Sequence, residues 1–197
     1  MEEKASKGQL WIVILCVIVV AMGIEIIYLI LQNRRLQQAL TNPRTYFKTL
    51  TKDQQVPSFR GTDVNGKEVF IIYTPSSPHT ILFWFSPGCH ACDVNMEFWK
   101  GLYEKYQNES FRFLGLCVSG PEETRKFIKD FEIKFPVIMM SDPILVESYK
   151  GNVIPQTLLI DPQGKVKGGW PGPLEDKQKK EILELLGQTK AKGGEKE

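Results

Sequence analysis

The chain has 197 residues, 42% of them hydrophobic, with 25 Lys and Arg against 23 Asp and Glu. A formal net charge of +2 provides no electrostatic footprint for nucleic acid, and 4 cysteines are too few for a disulfide-built scaffold. The only histidines, His79 and His90, do not complete a standard zinc site with a lone Cys-x-x-Cys, so neither a metal nor a cofactor is expected.

In chain order, residues 1–9 are a short N-terminal tail. The run LWIVILCVIVVAMGIEIIYLIL, from Leu10 to Leu31, is apolar except at Glu25. As a helix it would rise about 33 Å, enough to cross a bilayer core. A cleaved signal peptide is the rival reading, but the run is longer than a signal's apolar core and no small-x-small cleavage pattern follows. Residues 10–32 are therefore read as a transmembrane anchor in the lipid bilayer, with Cys16 a small apolar filler. Lys4 and Lys7 precede the span, whereas Arg34, Arg35, Arg44, Lys48 and Lys52 follow it. Counted alone, these charges favour a cytoplasmic C-terminal domain.

Residues 33–55 read as a helical stalk or linker, broken near Asn42-Pro43 and followed by a second short helical turn. A domain follows over 56–187. Asn65-Gly66 predicts a small hairpin, and His79–Phe85, apolar without alternation, predicts a strand covered on both faces. A helix from His90 to about Asn108 carries Val94, Phe98, Leu102 and Tyr106 as its expected buried stripe. The strand FRFLGLCV at 111–118 comes next, placing Cys117 in the interior; a role as a third redox thiol is the minority reading. Pro121 suits a helix start, with Ser119 as its cap. QTLLID and KVKGGW form a closing hairpin, and residues 174–186 a final amphipathic helix. Gly168 to Gly172 is either a substrate rim or a packed turn. Residues 188–197 are expected to be a flexible polar tail. This order gives an α/β fold: a mixed sheet flanked by helices, suited to a thioredoxin-like domain.

Chemistry concentrates in ILFWFSPGCHACDVNMEF. The pair Cys89 and Cys92 falls where a helix should begin beyond the carboxyl end of the His79–Phe85 strand, where open α/β sheets place their sites. A thiolate there meets unpaired backbone N–H groups and the positive end of the helix dipole, which lower its pKa. The spacing also lets the two sulfurs close a short disulfide. Pro87 and Gly88 shape the turn. His90, if protonated, would stabilise the thiolate; a plain surface histidine is the alternative. Trp84 is read as core or site wall.

These residues resemble the membrane-anchored TlpA/ResA-like branch of the thioredoxin superfamily, near the alkyl hydroperoxide reductase/thiol-specific antioxidant group. The likeness covers about Val56 to Leu186. It rests on VPSF at 56–59, NGK at 65–67, FWFSPGCHAC at 83–92, Ile154-Pro155-Gln156-Thr157, and LLIDPQGKV at 158–166. It implies that Cys89 is the exposed nucleophile and Cys92 the resolving thiol. It also implies that Pro155 is a cis proline opposite them, turning the Ile154 backbone toward the dithiol, and that the domain lies outside the cytoplasmic membrane. The chain departs from the pattern at Asn95 and Glu97, where many relatives carry Glu and Pro, and at Phe83, which takes the place of the buried acid of thioredoxins. The expected function is disulfide exchange with a protein dithiol or disulfide substrate, reductant rather than oxidant, with a redox partner that recycles the dithiol. The alternatives are a thiol peroxidase, for which Ser86 supplies one of the required groups, and a redox-inactive docking module.

Overall fold

The computed structural model describes residues 2–41, 49–107 and 111–193. The chain divides into two compact units, 1–46 and 47–197.

The first unit is one helix, α1 (Glu2–Thr41). Its segment Trp11–Arg35 is long and apolar enough to cross a membrane, and none of it is buried. Trp11, Val19, Ile27 and Leu31 are all more than half exposed around its circumference, as lipid-facing side chains would be. The helix runs on through the polar residues of the expected stalk as far as Thr41. The second helical turn expected over 43–50 falls largely on 42–48, outside the described residues.

The second unit is built on seven described strands: β1 (Phe59–Asp63), β2 (Glu68–Ile71), β3 (His79–Phe85), β4 (Phe111–Cys117), β5 (Val137–Met139), β6 (Gln156–Ile160) and β7 (Val166–Pro171). They form one mixed sheet in the order β2-β1-β5-β4-β3-β6-β7. The β3, β4 and β5 strands are parallel; β6 runs antiparallel to β3, and β7 to β6. Helices are α2 (His90–Tyr106), α3 (Pro121–Asp130), α4 (Pro143–Ser148) and α5 (Asp176–Gly193).

Strand β3 divides the core by its two-residue period. Ile81, Phe83 and Phe85 face a cluster with α2, α3 and α5, where Phe83 stacks on Trp99 and Phe85 on Phe127. Leu82 and Trp84 face a second cluster containing Tyr149, Leu158, Val56 and Leu50, against which α4 packs. Both faces are covered, which is why β3 reads as an unbroken apolar run.

Several expectations are corrected. Residues 49–55 belong to the domain rather than to a stalk: Leu50 is buried, and Asp53 and Gln54 exchange backbone hydrogen bonds with Val166. The α2 stripe is rotated. Val94 is exposed and Phe98 only partly buried, while Cys92, Asn95, Met96, Trp99, Leu102 and Tyr106 are inside. At 3.6 residues per turn a strict four-residue spacing drifts around the helix, and alternating steps of three and four hold one face. Residues 168–171 form strand rather than loop, with the Trp170 ring in the core and its Nε1 donating to Glu181. Gly120, not Ser119, caps α3. Helix α5 continues through six of the ten residues of the expected tail, where QTKAK contains no breaker. Strand β5 and helix α4 were not anticipated.

Candidate active site

Strand β3 ends at Phe85, and Ser86-Pro87-Gly88 turns the chain into α2. The Cys89 N–H donates to the Ser86 carbonyl at 3.2 Å, closing a tight turn. Gly88 has φ +77°, a left-handed conformation that only glycine adopts without cost. Pro87 at the preceding position limits the turn further.

Cys89 is the N-cap residue of the 17-residue helix α2, and its carbonyl accepts the Cys92 N–H at 2.8 Å. No side chain caps this end, so the remaining N–H groups and the helix dipole act on whatever charge the Cys89 sulfur carries. Cys89 and Cys92 are joined as a disulfide, with Cα atoms 5.3 Å apart. Their surroundings differ. Cys92 has no exposed surface and lies in the aromatic core cluster, whereas Cys89 sits partly exposed at its edge.

The His90 side chain is 96% exposed and its Nδ1 lies 3.6 Å from the Asp93 carboxylate. Trp84 is fully buried core. A Cβ at Gly151 would collide with its indole ring, so the ring lies directly beneath that glycine.

The peptide bond Ile154–Pro155 is cis. Strand β6 begins at the next residue, and the pairing Trp84↔Gln156 brings this segment to the end of the sheet from which the Ser86–Cys89 turn emerges. Four hydrogen bonds reach this segment and its neighbours. Gly172, at φ +81°, donates its N–H to the Pro155 carbonyl at 2.8 Å. Asn95 of α2, fully buried, donates from Nδ2 to the Gly172 carbonyl at 3.1 Å and accepts the Leu174 N–H at Oδ1 at 2.7 Å. Trp99, one turn further along α2, donates from Nε1 to Thr157 Oγ1 at 2.9 Å. Read from sequence, Asn95 is only a departure from a family pattern; its partners lie 77 and 79 residues away and leave no local signature.

Beside the site an open groove of about 990 Å³ runs past Ile154, Ser119, Val118, Met139, Met140 and Val146. Ser119 binds Ser86 through their hydroxyls at 2.9 Å. Cys117 is buried at the end of β4, with Sγ 3.3 Å from Thr124 Oγ1; burial pushes its thiol pKa up, and hydrogen bonds with Thr124 and Ser119 offset part of that. Neither Arg112 nor Arg125 stands beside the dithiol as a peroxide-polarising group would. Arg112 is bound to Thr80 at the far end of the sheet, and Arg125 to Val64 and Glu122.

Residues 53–168 match the AhpC/TSA family. The chain is 30% identical to thiol-disulfide oxidoreductase ResA of Geobacillus thermodenitrificans over 128 residues, which is 64% of this chain and 67% of that protein. It is 27% identical to ResA of Bacillus cereus over 114 residues, 57% of this chain, and spans 65% of that relative's length. Among solved structures, the thioredoxin domain of a thiol-disulfide oxidoreductase from Bacteroides vulgatus superposes with a TM-score of 0.59 at 18% identity, covering 70% of this chain and 99% of that one. That likeness is one of fold.

Proposed function

We propose a function from one firm premise: the chain belongs to the AhpC/TSA family, among thioredoxin-fold thiol–disulfide oxidoreductases related to ResA. In this reading it exchanges disulfides with partner proteins through Cys89 and Cys92. The carrying observation is the disulfide at the α2 N-terminus, with one sulfur accessible at the cap and the other buried behind it.

In the reduced chain the Cys89 thiolate, favoured by the helix end, attacks one sulfur of a partner disulfide. A mixed disulfide forms, the partner's S–S bond breaks, and its second sulfur leaves as a thiolate. Deprotonated Cys92 then attacks the Cys89 sulfur, closing Cys89–Cys92 and releasing the partner's first sulfur. Two electrons pass to the partner, whose two sulfurs take up two protons, and the two cysteines give up two. A recycling dithiol protein runs the same steps in reverse. The backbone of Ile154 offers hydrogen-bonding groups to an extended partner segment, and the apolar groove alongside receives its side chains. Pro87 and Gly88 set the turn that presents Cys89, and Pro155 borders the same site.

The domain works as a reductant held by α1 as a single-pass anchor, on the outer side of the cytoplasmic membrane. Exchange chemistry is most useful facing an oxidising compartment, which supports this orientation against the flanking charges. A Cys89–Cys92 potential near about −270 mV supports a reductant, and one near about −120 mV an oxidant.

The test uses the reduced full chain in detergent with insulin as substrate. Cys89→Ser abolishes insulin reduction, and Cys92→Ser arrests as an insulin–Cys89 mixed disulfide that dithiothreitol releases. Undiminished reduction by Cys89→Ser would refute the reading.

A further inference from the structure

We propose that Asn95 is a positioning residue of the exchange site, tying the thiol-bearing helix α2 to the Pro155 segment through Gly172; this rests on the exchange reading above. The path is continuous: Asn95 Nδ2 to the Gly172 carbonyl at 3.1 Å, then the Gly172 N–H to the Pro155 carbonyl at 2.8 Å. The same side chain accepts the Leu174 N–H at 2.7 Å, so it grips the connection between β7 and α5 on both sides of Pro173. Trp99 binds Thr157 from the same face of α2, two residues beyond Pro155 in the chain. The helix that carries Cys92 is thus bonded, through Gly172 and directly, to Pro155 and Thr157, which close and follow the peptide that a partner strand would meet.

The chemistry of the grip selects an amide. Gly172 offers a carbonyl and needs a donor, whereas Leu174 offers an N–H and needs an acceptor. One neutral side chain of this length supplies both. An ionised carboxylate would serve Leu174 but turn its second oxygen on the Gly172 carbonyl, so an acid could make the same link only while protonated, whereas the amide makes it at any pH. Asn95 has no exposed surface, and both ends of its amide are satisfied, as a buried polar group requires. The inferred role is to hold Ile154–Pro155 at a constant distance from the sulfurs. A protein disulfide, which must lie along Ile154, depends on that distance; a small aromatic disulfide, which needs only Cys89, depends on it far less.

The test compares the reduced full chain in detergent with its Asn95→Ala variant against two oxidants, insulin and 5,5′-dithiobis(2-nitrobenzoate). The variant's rate with insulin should fall about tenfold more than its rate with the small disulfide, the scale of one lost hydrogen-bonded link in a transition state. The Gly172 amide, followed by hydrogen exchange, should lose protection along with that of Leu174. Equal factors for the two oxidants, or a Gly172 amide as protected as in the parent, overturn the positioning role. If Asn95→Ala fails to fold, Asn95→Leu keeps the side-chain volume and removes both hydrogen bonds; it should show the same selective loss with insulin, and its absence overturns the proposal. A parent chain that reduces neither oxidant overturns the exchange reading itself and this role with it, whereas an active parent with an unselective variant overturns this role alone.

Discussion

Cys89 and Cys117 carry the same thiol in opposite surroundings. Cys89 caps a helix at the surface, where a negative sulfur is welcomed by N–H groups and dipole; Cys117 ends a central strand opposite Phe85, closed in by aromatic side chains. Burial disfavours the Cys117 thiolate and moves its pKa up from the ordinary value, so at neutral pH almost none of it is in the reactive form. The direction follows from the charged form being the one that loses hydration. Alkylation of the reduced full chain with iodoacetamide near pH 8 should therefore modify Cys89 and leave Cys117 unmodified until guanidinium is added. Peptide mapping by mass spectrometry reads the result, and equal labelling of the two in the folded chain would contradict it. That Cys117 is interior was legible in the sequence, since FRFLGLC carries no charge past Arg112 and sits between helical segments. That its sulfur lies against Thr124 was not, because the bond depends on how the first turn of α3 meets the strand end.

Helix α2 shows what one element must do for the site. Its N-terminus presents the sulfurs, and its buried face carries two polar side chains among apolar ones, Asn95 and Trp99, each bonded to the β6–β7 side of the sheet. Trp99→Phe keeps most of the ring contact with Phe83 and removes only the indole N–H, leaving the buried Thr157 hydroxyl without its donor. The expected loss is about 1–3 kcal/mol, seen as a fall of several degrees in the thermal midpoint of the domain; an unchanged midpoint would show that the bond contributes nothing net. The existence of α2, its limits and its thiols follow from local signals: a turn with Pro and Gly, an apolar period, a helix-compatible composition. Its inward face does not, because Val94 and Phe98 are as apolar as Met96 and Trp99, and only the facing strand decides which set is covered. The same limit hid β5 and α4. A three-residue strand and a six-residue helix have too few positions to display a period, and they exist because β5 pairs with β4 and Asp142 caps α4 through the Ile144 N–H. The hairpin at 65–66, the covered strand β3, the closing β6–β7 pair and the dithiol were readable because each is specified within about ten residues of chain. The Asn95–Gly172–Pro155 path, joining three distant segments, was not.

At the scale of the whole molecule, the four cysteines provide a means of determining which side of the membrane the domain occupies. Cys16 lies within the apolar segment Trp11–Arg35, where a charged, membrane-impermeant reagent does not reach it once that segment is in lipid. Cys117 and Cys92 are buried. In the reduced folded chain Cys89 is thus the single accessible thiol, and its labelling reports the domain's location without a reporter fusion. If the domain lies outside, intact cells treated with a mild reductant and then with a sulfonated maleimide should acquire one label per chain, at Cys89, with a Cys89→Ser variant unlabelled. If the flanking positive charges govern, label should appear only after the membrane is permeabilised, and the outward orientation is then wrong. Charge rules weigh residues near the span against the cost of moving a folded or folding domain across, and they bind most strongly for short loops. Here the segment to be moved is about 160 residues, beyond the length for which flanking charge dominates, so the external label is the expected outcome.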